Sequence, residues 1–310
     1  MFVGLLSAFQ SYQSVLLELF FTFSEFGVIR QNLKDIANLD FSLAEEDAPD
    51  DAAESLEIKE SIEFKNVSFR YPGKDRDALS GINCKIDAGE TVFIVGMNGS
   101  GKSIFIKLLT GLYTPTGGEV LYDGAAVGDA RDIYHNFAVL FQDFAKYPFD
   151  IRGNVDICGE NDETKLQYAL KSAGVDYVGE LPAGIDTKLG TVAVGGVNIS
   201  EGQWQRLAFA RAVYRGSRFY IFDEPTSALD PLAEERMYEL YSELPDGSTK
   251  IIISHRLGFA RKADRIIVFD GGEIKEQGGF DELIAEKGLF YEMFTLQQGL
   301  YAAEGGGDSG

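Results

Sequence analysis

One octapeptide constrains this chain more than any other stretch. Gly96-Met97-Asn98-Gly99-Ser100-Gly101-Lys102-Ser103 has the spacing G-x-x-x-x-G-K-S. Glycines at those positions let backbone N–H groups close on phosphate oxygens. A lysine there reaches the outer phosphates of a nucleotide, and the following serine hydroxyl can hold Mg²⁺. The flanks agree with this reading. Thr91-Val92-Phe93-Ile94-Val95 has the continuous apolar character of a buried strand. Ile104-Phe105-Ile106-Lys107-Leu108-Leu109 predicts a helix that starts where the loop ends. Strand, loop and helix in that order make a phosphate cradle at a helix N-terminus.

Further apolar runs fall at Ala138–Phe141, Phe219–Phe222, Ile251–Ile253 and Ile266–Phe269. Short apolar runs interleaved with helical stretches predict an α/β fold around a mainly parallel sheet covered on both faces. Ile62–Tyr71 and Ile82–Ile86 read as further strands. Between Asp150 and Val197 helical stretches such as Glu163–Ala173 dominate, a helical insertion in the α/β core. Open parallel sheets bind ligands beyond the carboxyl ends of their strands. Val95 leads into the loop, Phe141 into Gln142, Phe222 into Asp223-Glu224, and Ile253 through Ser254 into His255. If these strands are neighbours, the four ends converge on one phosphate.

Each of these strand-end residues is of a type suited to ATP chemistry. Asp223 is placed to hold Mg²⁺ or its water. Glu224 can act as general base on the attacking water. A neutral His255 imidazole can hydrogen-bond the γ-phosphate and orient that water. Ser200 to Gln203 forms a capping box, S-x-x-Q, that opens a helix with Trp204, Leu207, Ala208 and Ala212 on its apolar face. The same helix N-terminus is an anion site.

These motifs together resemble the nucleotide-binding domain of ATP-binding cassette (ABC) transporters. The resemblance runs from Ile62 to about Tyr291. It includes the phosphate loop at 96–103, Gln142 in F-Q-D, the signature I-S-E-G-Q at 199–203, F-D-E-P at 222–225, S-A-L-D at 227–230 and S-H-R at 254–256. It implies a P-loop NTPase core with an antiparallel β subdomain and a helical subdomain at about 143–205. It also implies ATP and Mg²⁺ as ligands. Tyr71 stands where the family stacks an aromatic ring on adenine. Residues 96–104 and Gln142 would bind ATP, with Lys102, Glu224 and His255 catalytic and Ser103, Gln142 and Asp223 around the metal. In the family one subunit's signature closes over ATP held by the other, so Ser200, Glu201, Gly202 and Gln203 would act in trans and Asp230 would lie at the dimer interface. The third signature position, most often glycine in the family, is Glu201 here. Residues 190–196 lack the acid that many exporters carry before the signature.

The remaining segments fix the expected subclass. Met1 to Phe23 carries one charge, Glu18, and has the length of a bilayer crossing. Its Gln10, Ser11, Gln13 and Ser14 suit one helix of a bundle rather than a solitary span. Arg30 and Lys34 follow, which favours a cytoplasmic C-terminal side. Residues 1–40 are thus expected to be the last transmembrane helix and stalk of a truncated exporter half. An acidic linker follows at 41–60, the nucleotide-binding domain at 61–300 and a Gly-rich disordered tail at 301–310. The net charge of −21 argues against nucleic acid as a partner. Cys84 and Cys158 have no metal-ligand spacing and read as reduced thiols. The expected protein is an ATP-hydrolysing exporter subunit in the cell (inner) membrane, its ATPase domain facing the cytoplasm. Its partners would be a second ABC subunit, transmembrane helices and an exported substrate, with peptide and lantibiotic exporters the nearest in motif. The alternatives are a soluble cassette ATPase working on a macromolecular machine, and an importer ATPase subunit.

Overall fold

The computed structural model describes residues 56–126, 133–190, 196–224, 231–242, 244–245 and 247–305. The expected membrane helix and stalk, most of the acidic linker, the stretch 191–195 and Asp230 lie outside the described residues.

In chain order the elements are β1 (Ser61–Phe69), β2 (Leu79–Asp87), β3 (Thr91–Gly96), α1 (Lys102–Leu109), β4 (Gly117–Tyr122), β5 (Ala125–Ala126) and β6 (Phe137–Leu140). Then come α2 (Ile151–Val155), α3 (Glu163–Ser172), α4 (Glu201–Arg215), β7 (Phe219–Asp223), α5 (Pro231–Ser242) and β8 (Thr249–Ile253). The C-terminal part holds β9 (Arg265–Asp270), β10 (Glu273–Gly278), α6 (Phe280–Glu286) and α7 (Leu289–Gly305).

Two sheets result. One is antiparallel, in the order β2-β1-β4-β5; the other is six-stranded, in the order β10-β9-β3-β8-β7-β6. Within the second, β9, β3, β8, β7 and β6 run parallel and β10 pairs antiparallel at the edge. The strands that end in the loop, Gln142, Asp223-Glu224 and His255 are therefore consecutive neighbours, the condition the sequence left open.

The two faces of β3 explain its unbroken apolar run. Phe93 and Val95 pack into the core shared with α3, α4, α6 and α7, together with Leu140, Phe222 and Val268. Val92 and Ile94 pack into the other core, with β1, β2, α1 and Ile251, Ile253 and Phe269. A strand covered on both sides has no polar face to show. Phe105 of α1 stacks on Phe64 of β1 at 4.5 Å between centroids, tying the loop's helix to the antiparallel sheet. Each such fully buried ring contributes about 1.5–3 kcal/mol.

Two local expectations change. β4, β5 and β10 were not read from the sequence, because they are short or largely exposed and carry little apolar signal. At the C-terminus α7 continues to Gly305, into the stretch expected as a disordered tail. Ala302 and Ala303 are strong helix formers and favour that continuation. Residues 306–310 lie outside the described residues.

Candidate functional site

The loop is held open by two glycines with backbone geometry that a side chain would spoil. Gly96, the last residue of β3, has φ 150°, and a Cβ there would meet the Phe269 carbonyl oxygen at 2.2 Å. Gly101 has φ 107°, and a Cβ there would meet Leu79 Cδ2 at 2.4 Å. The loop is braced from behind by the β9–β10 turn: Gly272 N–H donates to the Ser100 carbonyl at 3.1 Å, and Ser80 N–H donates to the Gly272 carbonyl at 2.9 Å.

Lys102 opens α1 and is buried. Its Nζ donates to the carbonyls of Gly96 at 2.9 Å and Met97 at 3.2 Å. The ammonium thus curls back over the loop, above the N-terminus of α1 with its unpaired N–H groups. Burial pushes the Lys102 pKa down, opposed by the negative charges of Glu224 and Asp223. Ser100 Oγ is also buried and has no hydrogen-bond partner among the described residues. Met97, Asn98 and Gly99 are exposed at the loop tip, and Ser103 and Ile104 begin α1.

Across the sheet edge, Asp223 ends β7 and is buried. Burial raises its pKa; a hydrogen bond from the Ser103 hydroxyl opposes that, and the Glu224 charge adds to it. Glu224 follows with φ 49°, a left-handed conformation uncommon for a residue with a side chain. Its N–H donates to the Ile253 carbonyl at 3.0 Å, which fixes the turn against the end of β8. Such strain at a strand end is a mark of functional sites. Glu224 Oε1 sits 2.7 Å from His255 Nε2 and 4.0 Å from Lys102 Nζ. Ser254 is buried and accepts from Tyr238 Oη at 2.6 Å and from Arg256 N–H at 3.0 Å. Lys102, Glu224 and His255 are brought together, and Ser103 and Asp223 form a second pair beside them.

Comparison with known proteins decides what this constellation belongs to. A family model described as ABC transporter matches residues 79–227. The nisin transport ATP-binding protein NisT of Lactococcus lactis subsp. lactis is 36% identical over 244 residues, covering 77% of this chain and 41% of that protein. The chain carries an ABC transporter ATP-binding domain. The subtilin transport ATP-binding protein SpaT of Bacillus subtilis is 42% identical over 240 residues, covering 75% of this chain and 39% of that protein. A solved structure of a bacterial Atm1-family ABC exporter with ATP bound matches with a TM-score of 0.74 and 32% identity, covering 87% of this chain and 48% of that one. The chain thus spans less than half the length of these relatives.

Other expected residues of the ABC domain lie apart from the Lys102–Glu224–His255 group. Gln142 is exposed just beyond β6, at the same sheet edge. Tyr71 lies past the end of β1, edge-on to Phe69 at 5.1 Å and to Tyr113 at 6.1 Å. Tyr113 in turn stacks on Phe69 at 5.0 Å and lies under the Lys107 ammonium. Tyr113 was not read from the sequence; the signal available was only a third aromatic near the loop helix.

The signature opens α4 of the ABC domain. Ser200 caps the helix by accepting from Gln203 N–H at 3.3 Å, and the Gln203 side chain accepts from Ser200 N–H at 2.8 Å. The capping box read from the sequence is present. Glu201 is paired with Lys146 at 2.5 Å, a partner that sequence reading missed.

The donor set fits Mg²⁺. A hydroxyl and a buried carboxylate stand side by side, Ser103 with Asp223, next to a lysine and an orphaned serine suited to phosphate oxygens. Mg²⁺ is typically held by one or two protein ligands plus phosphate and water. Among the described residues no cluster of three or more His, Cys, Asp or Glu side chains forms an all-protein metal cage. Cys84 is buried, which pushes its thiol up to about 11, and Cys158 is exposed; both are unpaired thiols.

Proposed function

We propose that this chain is the ATP-hydrolysing part of an ABC exporter subunit. The observation that carries the reading is the chain of contacts from His255 through Glu224 to Lys102 at the carboxyl edge of β3, β8 and β7. The chemistry is in-line attack of water on the γ-phosphorus of ATP, breaking the bond to the β–γ bridging oxygen and releasing ADP and phosphate. Glu224 accepts the water's proton. Lys102 leaves its loop carbonyls for the β- and γ-phosphate oxygens. The backbone N–H groups of 97–103 and Ser100 Oγ stabilise the charge that builds on the phosphate. Ser103 and Asp223 would hold Mg²⁺, which neutralises the β- and γ-oxygens. His255, held against Glu224, keeps the carboxylate aimed at the water, and Tyr71 offers a ring for adenine.

The head-to-tail arrangement is carried over from the family, in which the signature of one subunit closes over ATP held by the other. The helix N-termini of α1 and α4 are the two anion sites that such a closure would bring to one γ-phosphate. Ser200, Glu201, Gly202 and Gln203 therefore act on the partner's ATP, and Asp230 belongs to the same interface. ATP-driven closure of the two subunits powers export through membrane helices, supplied in part by residues 1–40. Among the described residues no helix is long and apolar enough to cross a membrane. The location in the cell membrane with the ATPase domain on the cytoplasmic side rests on the likeness to exporters and on the apolar N-terminal sequence. Relatives named for transport of nisin and subtilin, and an ATP-dependent lipid A-core flippase of Cupriavidus pinatubonensis that is 37% identical over 270 residues, favour a peptide or lipid substrate.

Phosphate release from ATP by the purified chain tests the hydrolytic reading. Hydrolysis that survives Glu224→Gln at the parental rate would sink it.

A further inference from the structure

His255 is exposed, yet its ring meets Glu224 at 2.7 Å. An exposed side chain with two rotatable bonds keeps such a contact only if its backbone is fixed. Two elements fix it. Upstream, the buried Ser254 hydroxyl is gripped by Tyr238 of α5. Downstream, the grip comes from α7, far along the chain. Gln297 Nε2 donates to the His255 carbonyl at 2.6 Å, and Gln297 Oε1 accepts from Leu257 N–H at 2.7 Å. One amide thus spans both sides of Arg256. The orientation is unambiguous, because a carbonyl only accepts and a backbone N–H only donates.

α7 is itself anchored at both points that matter. At its start the Glu276 carboxylate accepts from Leu289 N–H and from Phe290 N–H, the latter at 3.0 Å. Next to the clamp, the Arg261 guanidinium lies over Phe280 at 4.7 Å and over Phe294 at 5.9 Å. Arg261 belongs to the short 3₁₀ turn Leu257–Lys262 that follows His255. The His255 segment is therefore docked on the α6–α7 pair by one bidentate amide and one stacked cation.

We propose that Gln297 is a positioning residue for hydrolysis: its amide sets the His255 backbone so that the imidazole reaches Glu224. The inference rests on the reading of His255 as part of the hydrolytic group. Gln297 bonds the backbone on either side of Arg256 and acts through His255.

A double-mutant cycle in the full chain tests it, with steady-state ATP hydrolysis and binding of a non-hydrolysable ATP analogue as readouts. Gln297→Ala should lower kcat by about ten- to a hundredfold, the scale of a misplaced catalytic group. KM for ATP and analogue affinity should stay within about twofold, because the loop and Tyr71 are untouched. In a His255→Ala background the same substitution should cost nothing further. Gln297→Glu gives a second signature. Its carboxylate repels the His255 carbonyl, whereas its protonated form donates to it, so activity should recover relative to the parent as pH falls below about 5. Equal losses in both backgrounds, or a parental kcat for Gln297→Ala, would overturn the proposal. A parental kcat for His255→Ala alone would instead overturn the reading beneath it, visible with no change at 297.

Discussion

His255 Nε2 lies 2.7 Å from Glu224 Oε1, and the same oxygen lies 4.0 Å from Lys102 Nζ. One carboxylate oxygen therefore faces both an imidazole and a buried ammonium. In the proposed mechanism Lys102 turns to phosphate when ATP enters, which leaves Glu224 tethered to His255.

Glu224→Gln keeps the shape and the His255 contact but removes the base. Steady-state phosphate release should fall by about 10²- to 10⁴-fold, the usual worth of a positioned general base. Nucleotide affinity should persist, and ATP should trap a dimer detectable by size-exclusion chromatography. A monomeric ATP-bound variant would contradict the head-to-tail closure.

The buried charges at the site should cost stability. The pKa of Asp223 is raised in the folded protein, so over the window from its ordinary value near 3.8 up to its raised value the folded state binds more protons than the unfolded state. Stability from this group is full below that window and is lost as pH rises through it. Asp223→Asn should therefore raise the melting temperature of the nucleotide-free protein at pH 7, and the gain should shrink as pH is lowered through the window. The same variant should lose Mg²⁺-dependent hydrolysis. A lower melting temperature at pH 7 would show that Asp223 is stabilised there rather than strained.

Removing the Tyr71 ring should weaken ATP binding. Base–aromatic stacking contributes about 1–3 kcal/mol, so Tyr71→Ala should raise KM for ATP about tenfold with little change in kcat. Tyr113→Leu removes only the ring behind it, an edge contact of about 0.5–1.5 kcal/mol, and should raise KM by less. Hydrolysis with both kinetic constants unchanged in Tyr71→Ala would remove Tyr71 from the site.

Glu201 is paired with Lys146 across the helical insertion, 55 residues apart in sequence. An exposed pair of this kind adds at most about 1 kcal/mol to stability. Its larger effect should be electrostatic, since Glu201 opens the helix proposed to cover the partner's ATP. Lys146→Ala should slow hydrolysis several-fold, most at low salt, without a change in melting temperature. Glu201→Gly added to it should restore the rate. A double variant as slow as the single one would show that Lys146 acts elsewhere.

The parts of this domain that were legible in the sequence share one property: their constraint is local. The loop, its strand and its helix are contiguous, and the Ser200–Gln203 box closes within four positions. The five parallel strands announced themselves because burial on both faces gives each an unbroken apolar run. The adjacency of the strands that lead into Gln142, Asp223-Glu224 and His255 was legible only as a condition, since strand order is not written in any one segment. Features carried by pairs far apart were not legible at all. Nothing marks Lys146 as the partner of Glu201, or Gln297 as the partner of a carbonyl 42 residues earlier. The short strands β4, β5 and β10 escaped for the opposite reason, because a segment with half or more of its side chains in water has little pattern to read.

The place of β3 in its sheet has a consequence for how the protein is made. Its two hydrogen-bonded neighbours are β8 and β9, which begin at Thr249 and Arg265. A growing chain therefore exhibits its whole nucleotide motif while the strand beneath it has two bare edges, and Gly272 is not yet present to brace Ser100. Pairings of such separation form late. ATP capture thus becomes a report that synthesis is well into the last third of the domain, and a ribosome-bound fragment ending before β9 should be blind to nucleotide.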